Sequence, residues 1–346
     1  MKTQYQSVID LAQAVETARK SKRDMIADSR QLTVQNDGTT LAVNGQGVFP
    51  IDDYSHHQIA ERVGIPAKYA AKMRSEAPDL YATNVNRWFK QNVERRMIRT
   101  LNGNVRAFLS DRYQRIENEQ VLAMILPIFQ EHPELQFQSL ALTGTRMYLK
   151  ATLPTVRGEV KVGDIVEAGI EVRNGEIGNS RFEAWPFANR LVCKNGARFS
   201  VGGFKKLHVG GRADTTEDVY EMLTDETLKA DDHAFLLKAR DVVMATLSQP
   251  TFDKLLGMMK RAAGEKIKGD PAKAVEVLAE TLTLTVEEQG SVLRNLIEGG
   301  DLSRWGIANA VTRTAQDLAD YDRSDELEGF GGKIIEGEFT EVLKAA

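Results

Sequence analysis

Two stretches of this 346-residue chain concentrate the groups best suited to bind a polyanion. Residues 84–115 hold Arg87, Lys90, Arg95, Arg96, Arg99, Arg106, Arg112 and Arg115 against only Glu94 and Asp111. Residues 190–212 hold Arg190, Lys194, Arg198, Lys205, Lys206 and Arg212 with no acid at all. A guanidinium fork can donate two parallel hydrogen bonds to one phosphate, and lysine adds charge without reading sequence. Trp88, Phe89, Phe108 and Tyr113 lie among the first set, and unstacked bases bind on aromatic faces. In the second, the Gly202-Gly203 and Gly210-Gly211 pairs permit close approach of backbone to a ligand. The chemistry these residues could do is nucleic-acid binding, with Arg87, Lys90, Arg95, Arg96, Arg99, Arg106, Arg112, Tyr113, Arg115, Arg190, Lys194, Arg198, Lys205 and Lys206 as the expected contacts.

No catalytic set stands beside them. Cys193 is the lone cysteine and has no histidine near it in sequence, and His132, His208 and His233 are scattered. His56 and His57 are adjacent, so they point apart in any regular element. The chain has neither a GxxxxGK[ST] phosphate loop nor a GxGxxG turn. We therefore expect no catalytic residue, no cofactor and no resident metal.

The elements that must position the cations follow from periodicity. Residues 8–18 read as an amphipathic helix, and strands at 32–34 and 40–43 flank the turn former Asn36-Asp37-Gly38. Two short helices surround Gly64-Ile65-Pro66, in an order that resembles a helix-turn-helix; simple packing of the pair is the plainer reading. Residues 94–101 and 105–110 form a hairpin about Asn102-Gly103-Asn104, with arginine on both faces of its first strand. A helix over 117–131, kinked at Pro127, leads to strands at 137–142, 147–153, 164–172 and 182–187. Beyond 213 the pattern is helical. The expected fold is α+β: an antiparallel sheet with a basic β-hairpin packed on helices, followed by a helical C-terminal region. Its expected parts are residues 1–83, an N-terminal α/β segment; 84–212, a basic strand-rich core; and 213–346, an acidic helical region.

Charge is strongly polarised. The chain carries 45 basic and 49 acidic residues, a net of -4, yet residues 213–346 alone hold 27 acids against 15 bases. An overall acidic balance would argue against a polyanionic partner; the local balance argues for one. The same acids offer a competing reading, in which the hairpin aromatics lie in the core and the arginines pair with the C-terminal region. Residues 317–328 could likewise compete with DNA for the basic groove. The polar N-terminus and the lack of a long apolar run point to a cytoplasmic protein with no membrane partner.

Several strings resemble a family of phage- and plasmid-borne proteins defined by a domain of unknown function, number nine-three-two. They are Arg106-Ala107-Phe108-Leu109-Ser110-Asp111-Arg112-Tyr113, Gly178-Asn179-Ser180, Arg190-Leu191-Val192-Cys193-Lys194-Asn195-Gly196, and the Trp305-Gly306 to Thr312 helix with the later Gly331-Gly332. The resemblance implies a mobile-element setting and supplies no catalytic residue. The order hairpin, helix, strands also resembles the core of phage single-strand annealing proteins of the RecT, Redβ, Erf and Rad-fifty-two types. That resemblance implies a homo-oligomer holding single-stranded DNA on a groove lined by Arg95, Arg96, Arg99 and Arg106.

The expected function is thus nucleic-acid binding, with single-stranded DNA favoured, in recombination or replication. Two other readings stand beside it. One is a counter-defence or host-takeover protein that binds a host protein or nucleotide; the other is a metal-dependent nuclease.

Overall fold

Residues 3–111, 113, 116–178, 182–191, 195–200 and 225–344 are described in a computed structural model. A two-residue strand, β1 (Thr3–Gln4), precedes α1 (Val8–Ser21), whose start is fixed by a reciprocal Ser7–Asp10 capping box. Helix α1 runs directly into β2 (Lys22–Asp28), and β3 (Leu32–Val34), β4 (Thr40–Val43) and β5 (Gly47–Pro50) follow as a meander. Next come α2 (Asp53–Arg62), α3 (Ala67–Glu76) and α4 (Pro78–Gln91). The two helices around Gly64 are packing helices: Ile59, Ala60, Ala70 and Met73 are all buried in one core.

The hairpin of β6 (Arg95–Leu101) and β7 (Asn104–Ser110) turns at Asn102 and Gly103, whose φ values are 51° and 78°. Positive φ at both turn residues matches the twist of the flanking strands, which is why Asn-Gly marks the hairpin in the sequence. Helix α5 (Asn118–Gln130) contains Pro127 and leads to β8 (Gln136–Leu142), β9 (Arg146–Glu159), β10 (Ile165–Gly175), β11 (Glu183–Arg190) and β12 (Asn195–Arg198). The helical region comprises α6 (Asp225–Thr246), α7 (Gln249–Gly264), α8 (Pro271–Thr281), α9 (Val286–Gly299), α10 (Arg304–Gln316) and α11 (Tyr321–Glu336).

Among the described residues three sheets form, and every strand pairing within them is antiparallel. The largest has the order β1-β8-β9-β10-β11-β12; the others are β2-β6-β7 and β3-β4-β5. The fold is therefore α+β with a helical C-terminal region, as the periodicities indicate.

Packing crosses the boundaries expected near residues 83 and 212. Strand β2 pairs with β6 along its whole length, from Lys22 opposite Leu101 to Asp28 opposite Arg95. One core joins the N-terminal helices and meander to Ile98, Val105 and Phe108 of the hairpin. A second places α1, α5 and α6 against the large sheet. A third fuses Val166, Ala188 and Ala197 of that sheet to Trp305, Val311, Ile334 and Ile335 of the C-terminal helices. Each core thus joins described residues from either side of one or both positions.

Candidate functional site

Among the described residues, most arginines of the two basic runs lie in a different environment from the open groove expected for them. On β6, Arg95 is exposed, with Asp111 at 3.7 Å, but Arg96 and Arg99 are buried, as is Arg106 on β7. Arg96 pairs with Glu94 at 2.8 Å and lies over the Phe108 ring. Arg99, only 1% exposed, donates from Nε to Asp24 at 2.9 Å, from Nη1 to the Glu176 carbonyl at 2.6 Å, and from Nη2 to Glu117. Arg106 pairs with Glu176 at 2.8 Å. A buried guanidinium needs a counter-charge to be tolerated, and each of these has a carboxylate, though Arg96 Nε and Arg106 Nε and Nη2 are buried without a hydrogen bond. Arg96, Arg99 and Arg106 are thus structural cations in this fold, with Arg96 and Arg99 on opposite faces of the sheet, and only Arg95 of the four stays exposed.

Glu176 is the centre of that cluster. Its carboxylate takes Arg106, the Asn118 backbone N–H at 2.8 Å, and Lys22 Nζ at 2.5 Å. The same Lys22 ammonium reaches Glu117 at 2.9 Å and Glu119 at 3.1 Å. Burial by itself would raise the Glu176 pKa; Arg106 and Lys22 overcome that and hold it down at about 2.

Arg190 and Arg198 are half-buried and committed in the same way. Arg190 grips Asp164 at 2.6 and 3.1 Å, and the Trp305 indole N–H donates to that carboxylate at 2.9 Å. Arg198 reaches Glu171 at 3.2 Å and Asp325 at 2.7 Å. Arg173 pairs with Glu183 at 2.5 Å and with Asp325, while Lys150 pairs with Glu328. Burial first, then the charge of Asp325, pushes the Glu171 carboxyl up. Asp325 is held low because Arg198 and Arg173 outweigh its burial. Of the second basic run, Arg198 is thus neutralised by Asp325 of α11 and Arg190 by Asp164, just before β10.

Among the described residues, two groups of three carboxylates have the spacing of a cation site: Glu117 with Glu119 and Glu176, and Glu171 with Asp325 and Glu328. In the first, Lys22 contacts all three acids, so the lysine already supplies the positive charge a metal would bring. In the second, Lys150, Arg173 and Arg198 do the same. Neither donor set fits a divalent ion without displacing those cations.

What remains exposed of the expected contacts lies on and just after α4. Tyr81, Ala82, Val85 and Phe89 bury one side of that helix. Arg87 and Lys90 project into solvent, and Trp88 keeps 38% of its surface exposed while donating to Asn84 at 2.9 Å. Neither Arg87 nor Lys90 forms an ion pair among the described residues. The neighbouring α3 adds exposed Lys68, Lys72 and Tyr69, the last 51% accessible. Of the aromatics expected as base platforms, Phe89 and Phe108 are buried and stacked on each other, 5.7 Å between centroids. Tyr113 is half-buried, its hydroxyl donating to the Gly175 carbonyl at 3.4 Å. Arg112, Arg115, Lys194, Lys205 and Lys206, with Cys193 and the two Gly-Gly pairs, lie outside the described residues.

Sequence reasoning did not single out the carboxylates that claim these arginines. A signal existed in β10: Glu167, Glu171 and Arg173 interrupt an otherwise apolar run, and charges on a strand buried on both faces imply partners.

Fold and site together define an α+β protein whose sheets are tied to its helices by buried ion-pair clusters, and Arg87 and Lys90 on α4 are expected contacts left exposed and without an ion pair among the described residues. The model of the family described as Domain of unknown function (DUF932) matches residues 106–326, and the chain belongs to that family. No curated protein and no solved structure matches the chain. No helix among the described residues is long and apolar enough to cross a membrane.

Proposed function

We infer that the protein binds nucleic acid, single-stranded DNA in preference, and that the α3–α4 helix pair meets it. The observation that carries this reading is the face of α4, where Arg87 and the half-exposed Trp88 stand beside Lys90; the exposed Arg95, beside Asp111, follows at the start of β6. Cations without intramolecular partners are the ones able to exchange counterions for phosphates. A half-exposed indole next to them can stack on a base that is not paired, which duplex DNA does not offer. The role this suits is protecting or annealing single strands in the recombination or replication of a phage or plasmid, with no cofactor. The resemblance to annealing proteins supports it only through element order and charge.

Fluorescence anisotropy with a labelled single-stranded oligonucleotide at several salt concentrations tests the reading. Replacing Arg87, Lys90 and Arg95 together by Ala should weaken binding by about a hundredfold and reduce the salt slope by roughly 2. Trp88→Ala should weaken it by about tenfold with the slope unchanged. Unaltered affinity in both variants would remove α4 as the interface, and no binding by the wild-type chain would remove the function.

A further inference from the structure

The sheet edges of this fold are defended unequally. A strand at the rim of a sheet offers unpaired N–H and C=O groups to any other extended chain, so folds blunt their edges with short strands, proline, bulges or covering groups. Strand β1 is only two residues long, and beyond it β8 carries a bulge between Phe137 and Ser139. Strand β12 has four residues and is packed under α11. On β3 the Asn86 side chain acts as a substitute strand, donating to the Val34 carbonyl and accepting its N–H, both at 2.8 Å. On β7, Ser55 donates to the Val105 carbonyl and the Gln58 amide oxygen accepts the Phe108 N–H, each at 2.8 Å. Strand β5 is short and ends in Pro50, which has no N–H.

Strand β2 carries charge on Lys22, Arg23, Asp24 and Asp28 but none of the other devices, and its centre, Met25 to Ala27, is uncharged. Its seven residues pair with β6 without a bulge, and it contains no proline. No side chain among the described residues caps Met25, Ile26 or Ala27. Arg23 is exposed, and Ile26, an apolar side chain, is 44% accessible at the middle of the rim.

We propose that β2 is a self-association edge: it pairs antiparallel with β2 of a second copy of this chain, about a two-fold axis at Met25. The sequence of the strand selects both occupant and register. With Met25 opposite Met25, Lys22 faces Asp28, Arg23 faces Ala27 and Asp24 faces Ile26, so no like charges are opposed. An axis perpendicular to the sheet keeps each residue on its own face, so the register can change only in steps of two pairings. One step sets Asp24 against Asp28 and the other sets Asp24 against Asp24, and like charges directly opposite are destabilising. The centred register also continues the Met25–Ala27 face into the same apolar layer of the partner, forming a six-stranded sheet across the dimer. This inference goes beyond the nucleic-acid reading and does not depend on it.

Sedimentation velocity of the full chain across the micromolar range tests it. The expected species is a dimer of twice the 38.5 kDa chain mass. Ile26→Asp and Ile26→Lys are equally polar at one exposed position but differ in what they meet. The first faces Asp24 of the partner twice per dimer and should weaken association by about tenfold or more. The second faces the same Asp24 with opposite charge and should leave the dimer intact. Far-UV circular dichroism and thermal midpoints confirm that both variants are folded. A monomeric wild-type chain overturns the proposal, as does a dimer indifferent to Ile26→Asp or one that both variants dissolve alike.

Discussion

Arg198 on β12 and Asp325 on α11 meet at 2.7 Å, although 127 positions separate them in the chain. The pair closes the large sheet against the last long helix inside a cluster that also holds Lys150, Glu171 and Arg173. Its contribution is architectural: each ion is desolvated, so each needs its counter-ion more than the pair adds net stability.

Removing one member should therefore be costly. Asp325→Ala leaves Arg198 and Arg173 short of a carboxylate and is expected to destabilise the fold by about 3–5 kcal/mol, read from urea unfolding midpoints. Arg198→Ala should cost a similar amount. The double variant should lose less than the sum of the two, with a coupling of at least about 1 kcal/mol. Strict additivity would show that the two side chains do not act as a pair.

Glu176 gives the fold an acid limit whose direction can be stated in advance. Its folded-state pKa is held near 2, below the ordinary glutamate value of 4.5, so the unfolded chain binds the proton first. The stability this provides is complete above pH 4.5 and is lost as pH falls from there toward 2. Glu176→Gln should be less stable at neutral pH, by about 3–5 kcal/mol, because Lys22 and Arg106 lose their shared counter-ion. Its stability should also fall less steeply than that of wild type across that acid window, measured by chemical unfolding at a series of pH values.

Two glycines allow α11 to lie on its neighbours. A Cβ on Gly332 would stand 1.6 Å from the Arg198 carbonyl oxygen, and one on Gly331 would stand 2.2 Å from Thr312 Cγ2. Gly332→Ala must push α11 off β12 and should lower stability by more than about 3 kcal/mol, at the upper end for a single substitution. Gly290 in α9 is exposed, with no atom within 4 Å of where its Cβ would be. Gly290→Ala should instead stabilise by about 0.5–1 kcal/mol through helix propensity, which thermal unfolding of the two variants separates.

Much of the element order was legible because it rests on local rules. Asn102-Gly103 announced the β6–β7 hairpin, apolar spacing announced α1, α5 and the C-terminal helices, and alternation announced β8 to β11. Strand β2 was missed because Lys22-Arg23-Asp24 and Asp28 make it look like a polar linker; its strand character comes from β6 alongside it. Helix α4 was hidden inside the basic run, where charge drew notice away from the buried Tyr81, Ala82, Val85 and Phe89.

The candidate site divides along the same line. Residue type and spacing by themselves determined that 84–115 and 190–212 are islands of positive charge in an acidic chain, and that the fold is α+β. Which of those cations face water was beyond them, since Glu176, Glu171, Asp164 and Asp325 lie far along the chain from the arginines they hold. Only the tertiary structure brings those acids into contact, because a charge buried by folding must find its counter-ion in three dimensions. That pairing withdraws Arg106, Arg190 and Arg198 into the framework, as Asp24 and Glu117 withdraw Arg99 and the adjacent Glu94 withdraws Arg96, and leaves Arg87, Trp88, Lys90 and Arg95 on the surface.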